Sequence, residues 1–232
     1  MPSFVPLNSR KHRNMRFTPV TDFKFALQIS EIDVTLSEIW TLSGFFPIVF
    51  THRHKNSQDI FTPTVVIGAS NQGNKLVCQE GSIKLSAVPS LLRIYPFLIK
   101  GSNEEEAQIF VDESSPYFCK SGCFPIFSED GNYTTETQNL MALFTLLAKG
   151  LREAQELGFV ASRVGLLKPV RDTTARNKYF YVDLNCLNRL PDRSALMLND
   201  RKWLQLFYAI AISSVHYLNG SQSSSLTYNQ HS

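Results

Sequence analysis

The sequence predicts an α+β fold, an antiparallel sheet with two longer helices, at about 136–157 and 200–218, packed against it. Three observations predict it. Between residues 46 and 112, short strand-like runs follow one another with turn chemistry between them, the cadence of strands joined by short loops. Leu140, Phe144, Leu147 and Leu151 recur at steps of four, three and four, an apolar helical stripe. Trp203, Phe207, Ile210 and Ala211 form a second stripe near the C-terminus.

The bulk composition agrees. The chain has 232 residues, 43% of them apolar and 12% aromatic, enough to bury a core without disulfide staples. Residues 1–220 read as one domain and 221–232, which begin Ser-Gln-Ser-Ser-Ser, as a flexible tail. A net charge of +3 is too small to argue for nucleic acid. The basic run Arg10 to Arg16 lacks the interleaved aromatics of single-strand binders and reads as a solvated edge. The N-terminus, with Pro2 and Pro6, shows no apolar signal core, and the stretch Trp203 to Ile212 is far short of a membrane span. A cytoplasmic protein with no membrane span and no nucleic-acid partner is expected.

The elements follow in order. Phe23, Phe25 and Leu27 alternate with polar or small residues, as in a half-buried strand, and Ile29 to Val34 is extended. Thr35 and Glu38 have capping-box spacing ahead of a short helix that stops at Gly44. Phe46 to Phe50, Thr64 to Ile67 and Lys75 to Cys78 read as strands, with His52 to Asp59 a polar loop and Asn71 to Asn74 a turn. Ser86 and Pro89 open a short helix that ends at Pro96. Strands Phe97 to Lys100 and Gln108 to Asp112 flank an acidic tip, Gly101 to Glu106. Thr135 and Gln138 form another capping box, and Gly158 is the expected stop of the long helix. Val170 to Asn177 is a loop, Tyr179 to Asp183 a late strand, and Asn199 or Asp200 caps the final helix.

No Walker loop, dinucleotide-binding glycine pattern or nucleophile elbow is present, so no catalytic residue and no cofactor is assigned. Cys119 and Cys123 are separated by three residues, a spacing that fits neither a zinc knuckle nor a redox pair. They read as reduced thiols on either side of the turn Lys120-Ser121-Gly122, in a reducing compartment. His52 and His54 with Asp59 would make a metal site only if the three converged, and the plainer reading is a polar loop. His12 stands beside Arg10 and Arg13, cations that favour a neutral imidazole able to act as ligand, base or anchor of the N-terminal arm. Arg93 and Tyr95 lie among apolar neighbours. A buried guanidinium needs a carboxylate, so Arg93 either pairs with Asp112 or grips an anionic ligand. His12, Arg93, Tyr95 and Asp112 are therefore the candidate ligand-binding residues, and no metal ligands are assigned.

Several segments, taken in order, resemble the SapC family. They are Pro6 to His12, Phe46 to Phe50, Leu91 to Phe97, Ile109 to Asp112, Leu140 to Phe144, and Tyr181 to Asp183 followed by Leu190-Pro191. The resemblance covers roughly residues 5–218. It implies an accessory protein associated with surface-layer protein export, some members being encoded near halogenases and oxygenases, and it brings no agreed activity with it. Two functions follow as expectations. The first is a non-catalytic binding or accessory protein with a protein or peptide partner. The second is an enzyme or enzyme partner that modifies a peptide or aromatic small molecule, with a small-molecule ligand.

Overall fold

The computed structural model describes residues 3–55, 57–69, 73–74, 76–83, 87–100, 108–170 and 179–226, with the side chains of the last helix described through residue 215. Its strands are β1 (Phe4–Pro6), β2 (Arg16–Phe17), β3 (Glu31–Asp33), β4 (Ile48–Lys55), β5 (Gln58–Val66), β6 (Gly68–Ala69), β7 (Gly73–Asn74), β8 (Phe97–Lys100), β9 (Gln108–Asp112), β10 (Phe118–Cys119), β11 (Phe124–Pro125), β12 (Leu167–Pro169) and β13 (Tyr179–Val182). Its α-helices are α1 (Ile39–Ser43), α2 (Ser90–Arg93), α3 (Thr135–Arg163), α4 (Leu184–Asn188), α5 (Asp192–Asp200) and α6 (Leu204–Leu226). Among the described residues every strand pairing is antiparallel, as the α+β reading predicts.

The main sheet has the order β12-β13-β4-β5-β3. Ile48, Phe50, Val65 and Val182 of this sheet join Leu157 and Ala161 of α3 and Phe207 and Ile210 of α6 in the larger apolar core. Two small sheets, β1-β9-β8 and β10-β2-β11, contribute Phe17, Phe97, Val111 and Phe118 to a second core with Phe144 and Leu147 of α3. The long helix thus ties the two cores together, and Leu91 packs against both.

Several expectations are corrected. Residues 52–55 and 58–59 do not form a loop: they belong to β4 and β5, which pair with Lys55 opposite Gln58. The polar residues that suggested a loop sit at the hairpin's exposed end, where no apolar face is needed. Phe23 and Phe25 do not lie in a strand: Phe23 precedes and Phe25 sits within a 3-10 turn, Lys24–Ala26, where Phe25 stacks on Tyr95 at 3.9 Å between ring centroids. Val77 forms an isolated bridge to Ile83 in place of a strand. The first of the two capping boxes forms as predicted, with Thr35 and Glu38 exchanging hydrogen bonds. The second is shifted, since Thr134 caps α3 by accepting from the Thr137 N–H. Asp200 ends α5 and does not cap α6, which starts at Leu204 and runs past the expected end at Leu218. The predicted capping by Ser86, the tip at 101–106 and the loop at 171–177 lie outside the described residues.

Gly158 is not a stop. α3 passes through it at the point where the helix meets β5, and a Cβ there would lie 1.9 Å from the carbonyl oxygen of Phe61. Glycine is required by close approach, as it also is at Gly150, where a Cβ would meet Cβ of Thr35 at 2.8 Å. Both glycines lie on the face that α3 buries.

Candidate functional site

β9 ends in a turn that gathers three of the four sequence-predicted residues. Asp112 stands opposite Phe4 of β1 and is 1% exposed. Its Oδ1 accepts the Ser3 N–H at 2.9 Å, the Ser114 N–H at 3.0 Å and the Ser114 hydroxyl at 2.6 Å, and its Oδ2 accepts the Tyr95 hydroxyl at 2.8 Å. Burial pushes the Asp112 carboxyl up, but the donors from Ser114, Ser3 and Tyr95 together hold it below its ordinary value. Burial raises the Tyr95 phenol, and the adjacent carboxylate adds to the effect.

His12 is the neighbouring anchor. It is 2% exposed, with its ring edge-on to Phe118. Its Nδ1 accepts the Asn8 N–H at 3.0 Å, so the proton sits on Nε2, which donates to Glu113 Oε1 at 2.8 Å. Lys11 reaches the same oxygen at 2.7 Å. Lys11 first, and His12 second, hold the Glu113 carboxyl below its ordinary value. Together, Asp112 and Glu113 fasten residues 3–12 to the end of β9.

Arg93 is not part of this cluster. It is exposed at the end of α2, and the four donors to Asp112 are those just named. The apolar run around it is a short helix, which turns one of its residues to solvent, whereas a buried strand would have enclosed them all. The expected Arg93–Asp112 pair is thus replaced by hydroxyl and backbone donors. Arg93→Met is expected to change stability by less than about 0.5 kcal/mol, as at other exposed positions, and a denaturant titration checks this.

The basic N-terminal run is engaged internally. Arg13 donates to the carbonyl of Glu129, and Arg16 donates to the carbonyls of Gly122 and Cys123 at 2.6 and 2.8 Å. Cys119 and Cys123 stand on either side of the turn that joins β10 to β11, as the sequence predicts. β10 and β11 each pair with β2, which lies between them, and all four cysteines are free.

On the β4–β5 hairpin, His52, His54 and Asp59 do converge. Asp59 Oδ1 accepts from His52 Nε2 at 2.8 Å and from His54 Nδ1 at 3.0 Å. These bonds, that of His54 first, hold the Asp59 carboxyl below its ordinary value. The three form a hydrogen-bonded group at an exposed tip, and among the described residues no group of three His, Cys, Asp or Glu side chains could hold a metal ion. On the opposite face of the hairpin, Arg53 grips Asp33 with its two terminal guanidinium nitrogens, and Asp33 accepts the Thr64 hydroxyl at 3.0 Å.

The sequence reading missed an exposed apolar surface. α1 packs against α6. α1 and the residues just after it leave Trp40 62% and Phe45 46% exposed, and α6 leaves Ile212 63% and Val215 38% exposed. Between Leu204 and Leu226 there is no Asp, Glu, Lys or Arg. The signal was present in the sequence as an uncharged C-terminal helix with apolar residues outside its core stripe. Among the described residues, no helix is long and apolar enough to cross a membrane.

No curated protein and no solved structure matches this chain. The SapC family model matches residues 7–218, which include residues 7–12 of the tethered N-terminal segment, both cores and α6 as far as Leu218. The chain belongs to the SapC family.

Proposed function

We propose that the protein is a non-catalytic binding or accessory protein that holds a polypeptide partner, acts from the cytoplasm, and assists export or modification of a surface or secreted protein. The exposed apolar surface of α1 and α6 carries this reading. Large apolar side chains left exposed on two packed helices mark an interaction site, and a tryptophan is a frequent energetic centre of one. His12, Tyr95 and Asp112 serve as the framework that fixes the N-terminal segment. The free cysteines suit a reducing compartment.

Capture from a native lysate tests the reading. Immobilised wild-type protein is expected to enrich a specific protein, and the double variant Trp40→Ala, Ile212→Ser is expected to lose at least about tenfold of it, the loss that removing one or two interface anchors produces. Both positions are exposed, so circular dichroism should be unchanged. Equal capture by the variant, or no enriched protein with wild type, contradicts the proposal.

A further inference from the structure

A cleft of about 460 Å³ opens where α3 gives way to β12 and β13 gives way to α4. The local chain path builds it. After α3 the chain turns at Gly165, whose φ of +74° suits glycine, and the Leu166 N–H closes back on the Ala161 carbonyl. β12 then pairs with β13, placing Lys168 opposite Tyr181. β13 runs directly into α4, whose short length sets Asp183 at its N-cap and Arg189 at its C-cap. Both of these cap residues and Lys168 line the cleft.

The lining has a definite charge pattern. Asp183 is engaged, because its Oδ1 accepts the Asn185 N–H at 2.8 Å. Lys168 and Arg189 pair with no carboxylate among the described residues. Two cations against one carboxylate leave the lining with a single net positive charge. Val164, Leu190 and Pro191 supply an apolar part of the wall, and the Asn185 amide supplies a neutral donor.

We propose that this cleft binds a small organic monoanion, a carboxylate on an apolar body. The planar fork of Arg189 matches a carboxylate, Lys168 adds a second charge, and the apolar body covers Val164, Leu190 and Pro191. The fixed carboxylate of Asp183 works against a second negative charge, so a dianion such as inorganic phosphate is disfavoured. Lys168 and Arg189 are exposed, which limits affinity to a Kd on the order of millimolar. This site is separate from the α1–α6 surface and does not depend on the function proposed for it.

Hexanoate is a suitable probe, with hexanol and inorganic phosphate as controls. Amide NMR spectra of the full chain should shift at Gly165, Asn185 and Cys186 with hexanoate up to about 20 mM, well above the expected Kd, and not with either control. Cys186 also lines the cleft, so its alkylation, followed by peptide mass spectrometry, should slow with hexanoate while that of exposed Cys123 does not. Lys168→Gln and Arg189→Gln are both exposed substitutions that leave the core intact. Each should weaken hexanoate binding by at least about threefold, and the pair by about tenfold or more. No shift with hexanoate overturns the proposal. So does an equal response to phosphate or hexanol, or undiminished binding by the folded double variant.

Discussion

Gly158→Ala is expected to destabilise the protein by about 3 kcal/mol or more, the upper range for overpacking a tight contact. The sign is informative. In an open helical position the same change would stabilise by about 1 kcal/mol, because alanine is the better helix former. Here the added methyl would lie 1.9 Å from the Phe61 carbonyl oxygen and 2.8 Å from its carbon. Both are backbone atoms of β5, so no side chain can rotate aside. α3 must lift from the sheet, and Leu157 and Ala161 lose their packing in the larger core. Gly150→Ala should cost less, about 1 kcal/mol, since the opposing group is the side chain of Thr35. Urea titrations of both variants measure this. A Gly158→Ala protein as stable as wild type would show that α3 does not meet β5 as described.

Asp112→Ala is expected to cost roughly 3 kcal/mol, because the Tyr95 hydroxyl and the Ser3 and Ser114 N–H groups lose their common acceptor. Asp112→Asn should cost less. Its amide oxygen keeps the backbone donors, and the Tyr95 hydroxyl can turn to accept from the amide nitrogen. The acid response follows from the same bonds. The folded carboxyls of Asp112 and Glu113 lie below their ordinary values, so the unfolded chain takes up protons first as pH falls. The stability they contribute is present above about pH 4 and is lost as pH drops through their folded values. Asp112→Ala should therefore show a shallower acid loss than wild type. An Asp112→Ala protein within about 0.5 kcal/mol of wild type would remove Asp112 as the anchor of residues 3–12.

These two residues show how far the sequence could be read. The sequence reading gives Asp112 only as the carboxylate that a buried Arg93 would need, whereas its donors are hydroxyls and backbone N–H groups. One of these donors is out of reach of local pattern, because the N–H of Ser3 arrives through the pairing of β1 with β9, a contact between segments far apart in sequence. Gly158 was legible as a special position, but a C-terminal stop and a close helix–sheet approach call for the same residue. The strands at 97–100, 108–112 and 179–182 are legible as short runs rich in β-branched and aromatic residues bounded by polar segments, and the stripe of α3 because burial imposes a period of 3.6 on it. The strand ends at 52–55 and 58–59 are not, since their side chains are largely exposed and carry no apolar face. α4 and α5 are short and carry few core residues, Leu187 and Leu198 among them, too few for a stripe. That Lys168 and Arg189 line one cleft depends on the pairing of β12 with β13, which leads into α4, and no spacing in the sequence shows this.

The proposed docking surface is tested most directly by photocrosslinking in cells that make the protein. A photoreactive phenylalanine analogue at Trp40 or at Ile212 should crosslink to the same partner protein, while the analogue at Lys120, an exposed polar position on the β10–β11 turn, should not. Crosslinks to one protein from both helices, lost when the partner site is competed by unlabelled wild type, are the expected result. No crosslink at Trp40 and Ile212, or equal crosslinking from Lys120, would contradict the assignment of α1 and α6 as the surface through which this SapC-family protein works.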